Sequence, residues 1–81
     1  MKAHKLNTII EAALKGFPER MTKKQVIENC QRYVLTDERI WIKHTTFAAH
    51  VMNHRDMVYD KAGKTYTNYQ VKDLKGKFRV S

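Results

Sequence analysis

In the stretch KHTTFAAHVMNHR, Lys43 to Arg55, three of the chain's four histidines fall among Thr, Asn, Lys and Arg. Such residues can hold a metal, move protons, or hydrogen-bond a partner from one face of a helix. Spacing ranks these three chemistries. On a helical wheel of about 100° per residue with Lys43 at zero, Ile40, Trp41, Phe47, Ala48, Val51 and Met52 share an arc of roughly 40–180°. His44 lies inside that arc and reads as a packing or helix-start residue. Asn53, Thr46, His50, Lys43 and His54 lie on the other side, from roughly 280° round to 20°. The three histidines therefore do not converge.

A metal site would start from His50 and His54 alone, four apart. The zincin pattern needs Glu directly after the first His, and Val51 stands there. A third ligand would have to come from Asp56, His4 or a partner chain, so no metal or other cofactor is expected. Catalysis has no better footing. Cys30 falls in an apolar stripe, no serine precedes Ser81, and neither a Gly-rich phosphate loop nor a paired carboxylate set is present. The expectation is a chain that is not an enzyme. What the polar side of the wheel does offer is Lys43, Thr46, His50, Asn53 and His54 at helical spacing beside small Ala49. That mixture can meet base edges and phosphates in a major groove. Any surface helix turns polar residues outward, so the face gains meaning only from its surroundings.

Charge supplies the first of these. Sixteen Lys and Arg stand against eight Asp and Glu, giving +8 and a pI near 9.8. From Lys61 onward six basic residues face Asp73 alone. Such a field draws phosphate polymers, acidic proteins or anionic surfaces. At 81 residues with a 42% apolar share, the chain reads as one domain over 1–81 with one small core. No apolar run approaches a membrane span and no secretory signal opens the chain, so no membrane partner is expected. The lone Cys30 forms no internal disulfide and fits no cysteine-paired zinc framework, which points to a reduced, intracellular setting in cytoplasm or nucleoid.

Three helices and a hairpin must position these residues. Leu6, Ile9, Ile10, Ala13, Leu14 and Phe17 trace one buried stripe, closed by Gly16, which tolerates a left-handed cap, and Pro18. Thr22-Lys23-Lys24-Gln25 fits a capping box, with Met21 and Val26 at the staple positions. Val26, Ile27, Cys30 and Val34, with Tyr33 beside them, then mark the second helix. Thr36-Asp37-Glu38 restarts the chain. The third helix is placed over roughly 44–54, with a variant continuous from about 38 that takes Ile40 and Trp41 into its stripe. The period then falls to two: Met57–Tyr59 and Thr65–Val71 read as strands. Between them Asp60-Lys61-Ala62-Gly63 has type I turn chemistry, Asp leading and Gly closing. The end, LKGKFRVS, reads as a third strand through Phe78 and Val80 or as a basic tail.

Three helices followed by a hairpin with a lysine-bearing turn resembles the winged-helix (winged helix-turn-helix) DNA-binding family, in architecture over about residues 5–72. The resemblance implies an α+β fold of three helices with a C-terminal β-hairpin wing, and an extended lead-in before Thr22. By it, the helix carrying Thr46, His50 and Asn53 corresponds to the recognition helix, and Lys61 and Lys64 to the wing tip. The implied function is duplex-DNA binding in transcription or replication regulation, by Lys43, Thr46, His50, Asn53, His54, Arg55, Lys61 and Lys64, with the Lys72–Arg79 segment on phosphates. Winged helices also serve as protein-interaction modules. The alternative partners are accordingly an acidic protein or a second copy of the chain. RNA or single-stranded DNA is a further alternative, with Tyr59, Tyr66 and Tyr69 as stacking surfaces.

Overall fold

The computed structural model describes residues 3–72. The chain is a small α+β domain in the order α1 (Ala3–Gly16), β1 (Arg20–Met21), α2 (Lys23–Thr36), α3 (His44–Met52), β2 (Met57–Asp60) and β3 (Thr65–Asn68). A last helical turn covers 69–72. The strands form one antiparallel sheet in the order β1-β3-β2.

The first two helices follow their apolar stripes. Ile9, Ile10, Ala13, Leu14 and Phe17 of the α1 segment are buried, with Leu6 packed at the edge. α1 stops because Pro18 has no N–H to continue the ladder and drives Phe17 out of helical geometry. Gly16 has no positive φ, so no left-handed glycine cap is used; the Phe17 N–H instead donates to the Leu14 carbonyl at 3.2 Å. At α2 the capping box forms as the sequence predicts. The Gln25 N–H donates to Thr22 Oγ1 at 3.2 Å and the Thr22 N–H to Gln25 Oε1 at 2.9 Å. Val26 and Cys30 are sealed beneath it.

The core gathers around Phe47, Ala48 and Val51 of α3, all fully buried. The Phe47 ring stacks on Tyr33 of α2 with centroids 6.1 Å apart, and Tyr33 meets Phe17 edge-on at 6.1 Å. Met21, beside the α2 cap, is 1% exposed and brings β1 onto this core. Removing a ring such as Phe47 would cost about 3–5 kcal/mol.

Asn68 fixes the sheet to the helices. It is fully buried; its Nδ2 donates to the Leu14 carbonyl at 2.7 Å and its N–H to the Glu19 carbonyl at 2.6 Å. The Leu14 carbonyl, which already accepts the Phe17 N–H, thus gains a second donor from a residue 54 positions away, and the end of α1 is tied to β3. β3 ends at Asn68 instead of running to Val71, because the Tyr69 N–H turns to the Asp56 carbonyl and the chain enters its last helical turn. A strand or tail through Phe78 and Val80 lies outside the described residues, as does the Lys72–Arg79 segment beyond Lys72.

Candidate functional site

The outer face of α3 is built by what its inner face buries. With Phe47, Ala48 and Val51 turned into the core, Thr45, Thr46, Ala49, His50 and Asn53 are left exposed. Lys43, the N-cap, is exposed at one end and Arg55 at the other. No Asp or Glu occurs between Glu38 and Asp56, so this face carries no carboxylate of its own. Thr46 and His50 stand one turn apart, and both are exposed. Asn53 is partly committed: its Nδ2 donates to the Ala49 carbonyl at 2.9 Å, and its N–H to the same oxygen at 3.1 Å, which caps the helix. Thr45 belongs to this face as well, and its wheel angle of about 200° already marks it as outside the core arc.

His54 does not. The wheel sends it outward, whereas the structure buries it to 9% exposure. α3 ends at Met52, Asn53 closes it, and the His54 N–H bonds back to the Val51 carbonyl, so the side chain leaves the helical path and turns toward α1. There its Nε2 lies 3.7 Å from Glu11 Oε2, and its Nδ1 lies 3.6 Å from Asp56 Oδ2. Arg55 reaches the same Glu11 oxygen at 3.8 Å.

Glu11, His54 and Asp56 bring their donor atoms within 4.8 Å of one another, which is compact enough to ask whether they would hold a cation. The hydrogen bonding answers against it. Nδ1 accepts the Asp56 N–H at 3.1 Å, which leaves the ring proton on Nε2, the nitrogen that faces Glu11. A metal-bound imidazole instead donates from its second nitrogen. The Arg55 guanidinium also already engages Glu11. The arrangement suits a clasp between α1 and the α3–β2 connection. Exposed His50 lies outside this cluster, while His54 is buried in it.

The hairpin turn projects Lys61 and Lys64, both exposed. Asp60 leads as expected, its Oδ1 accepting the Ala62 N–H at 3.0 Å. A Cβ at Gly63 would sit 3.0 Å from Asp60 Oδ2, so any side chain there would press on the carboxylate that leads the turn. The left-handed residue is Lys64, with φ of 55°. Register places more cations near this turn. Met21 pairs with Tyr66 and Arg20 with Thr67, so β1 runs toward the turn and α2 begins beside it with exposed Lys23 and Lys24. In sequence these lysines read only as helix-start residues; strand pairing is what sets them toward the hairpin turn. Tyr59 and Tyr66 pair across the strands with centroids 4.8 Å apart, and Lys72 Nζ sits 5.3 Å over the Tyr69 ring.

The connection before α3 differs most from expectation. α3 is not continuous from 38. Asp37 caps α2 in extended geometry, Arg39 clamps its carboxylate at 3.0 and 2.7 Å, and the Ile40 N–H returns to the Asp37 carbonyl. The Arg39 hydrogen bonds hold the Asp37 carboxyl down at about 2, and burial followed by the Asp37 charge pushes the Tyr33 phenol up. Ile40 still reaches the core at 8% exposure, but Trp41 is 85% exposed instead of lying in the stripe. At the other extreme, burial raises the Cys30 thiol to about 12, as befits a core residue and not a nucleophile.

The chain matches no protein-family model, no curated protein and no solved structure. No helix among the described residues is long and apolar enough to cross a membrane.

Proposed function

We propose that this chain is a winged-helix protein that binds duplex DNA without catalysis, as a transcription or replication regulator. The observation that carries the reading is the strand order. β1 sits between α1 and α2 in sequence yet pairs with β3, the far strand of the hairpin. That closure leaves the α3 outer face and the Lys61–Lys64 turn as separate projections from one core.

The dimensions suit a groove. Nine residues make α3 about 13.5 Å long, close to the roughly 12 Å width of a B-DNA major groove. Thr46 and His50 would then meet base edges, and small Thr45 and Ala49 would let the helix backbone approach. Lys43 and Arg55, at the two ends, would stand at the phosphate walls. Lys61 and Lys64 would grip phosphate beyond the groove, with Lys23 and Lys24 beside them. His54 has no part in this contact, being clasped by Glu11 and Asp56.

Four to six neutralised phosphates give an expected slope of log K against log salt of about −4 to −5. The test is anisotropy of a labelled random-sequence duplex titrated with protein at about 50 to 200 mM salt, the range over which counterion release is resolved. A flat slope, or no binding at the low-salt end, would overturn the reading and favour an acidic protein partner.

A further inference from the structure

The last turn of α2 and the connection that follows it carry the most exposed large apolar side chains among the described residues, Leu35 at 81% and Trp41 at 85%. Trp41 stands two residues before Lys43, the N-cap of α3. It walls an open groove of about 570 Å³ together with Lys5, Thr8 and Ile9 of α1 and with Arg39. An indole left in water forfeits a large burial term, while its N–H keeps a polar handle for a wet contact.

The charges around the indole select what it meets. Lys5 and Arg39 share its groove, and Lys43 is exposed beside it. Lys5 and Lys43 form no ion pair among the described residues. The carboxylates of the segment are Asp37, which Arg39 clamps, and exposed Glu38. An apolar surface rimmed by cations complements a chain of phosphates joined by apolar sugars. It opposes a second copy of this +8 chain. Position agrees, because α3 is about as long as the groove is wide, so a residue just outside its N-terminus arrives at the sugar–phosphate wall and not at the bases.

We infer that Trp41 is a DNA-backbone contact: its indole face packs on deoxyribose at the N-terminal end of α3, its Nε1–H donates to a phosphate oxygen, and Lys5 and Lys43 flank it. The inference rests on the duplex-DNA reading and adds to it the residue that anchors one end of the helix.

Trp41 is the chain's only tryptophan, so its emission reports this one place. The experiment titrates the full chain with a random-sequence duplex and follows anisotropy of a labelled strand, and in parallel tryptophan emission and acrylamide quenching with unlabelled DNA. Anisotropy reads binding itself; the other two read Trp41. The expected result is that emission changes and acrylamide quenching falls several-fold, both saturating at the stoichiometry that anisotropy gives. Trp41→Ala should weaken binding about tenfold with an unchanged salt slope, since no charge is lost, and Trp41→Phe should recover most of the affinity. Lys43→Ala should instead lower the slope by about one. Because Trp41 is exposed, the Ala variant should melt with the parent protein.

Binding by anisotropy with Trp41 still fully open to acrylamide would overturn the inference and leave the DNA reading standing. Absence of binding would overturn both. Acrylamide protection that grows with protein concentration alone, matched by dimer in sedimentation, would assign the groove to a second copy and overturn the inference.

Discussion

Replacing Lys64 by glycine should move stability and DNA affinity in opposite directions. Lys64 holds a left-handed backbone, φ 55°, at the end of the hairpin turn. A side chain with Cβ pays roughly 1–2 kcal/mol for that geometry. Glycine removes the clash but loses about 0.5–1 kcal/mol through a freer unfolded chain. The balance is about 0–1.5 kcal/mol in favour of the variant, which a domain of this size registers as a Tm rise of up to several degrees. The lost ammonium acts on DNA instead. One phosphate contact fewer flattens the salt slope by about 0.9 and weakens binding about tenfold near 0.1 M salt. Thermal unfolding followed by far-ultraviolet circular dichroism measures the first effect, and duplex anisotropy at several salt concentrations the second. Lys64→Asn separates charge from backbone, because Asn tolerates the left-handed region, and should lose the same affinity with a smaller gain in stability. A lower Tm for Lys64→Gly would refute the strain argument. A higher Tm with unchanged affinity and slope would refute the assignment of the turn to DNA.

The α3 face should behave differently from the turn. His50→Ala is expected to cost about 1–3 kcal/mol on a duplex selected from a random pool and much less on random DNA, by competitive anisotropy; equal losses on both would make His50 a backbone contact. Asn53→Ala should discriminate less, since its amide is already bound to the Ala49 carbonyl. Asp37→Asn tests the connection that presents Trp41. Its folded carboxyl sits at about 2 against an ordinary 3.8, so its contribution is present above pH 4 and disappears as pH falls toward 2. With Arg39 half open to solvent the loss at pH 7 should be small, and a difference from the parent that stays undiminished down to pH 2 would exclude the ion pair as its source. Asn68→Ala should lower stability by about 2–3 kcal/mol in chemical denaturation through the lost Leu14 bond and the void. Asn68→Asp should cost more at neutral pH and recover on acidification, because protonation removes the buried charge.

The sequence by itself determined the helices, the cap and the hairpin, because those are local. The α1 and α2 stripes need only a 3.6-residue period, the Thr22–Gln25 box spans three residues, and the Asp60 turn spans four. Phe47, Ala48 and Val51 were legible as core for the same reason, and Thr46 and His50 as outward. Tertiary structure decided the rest. Trp41 drops out of the buried stripe because periodicity presumes an unbroken helix, and the Asp37–Arg39 clamp breaks it. His54 turns inward because α3 ends at Met52, so helical periodicity no longer governs it, and because Glu11, 43 residues away in sequence, receives it. Lys23 and Lys24 come toward the hairpin turn only through pairing of a two-residue strand, too short to carry any period of its own. Asn68 looks like an ordinary strand residue until the end of α1 brings the Leu14 carbonyl within reach of its buried amide. Contacts of this kind depend on which elements pack together, and that is fixed by the burial of the whole apolar set at once and by no single window of sequence.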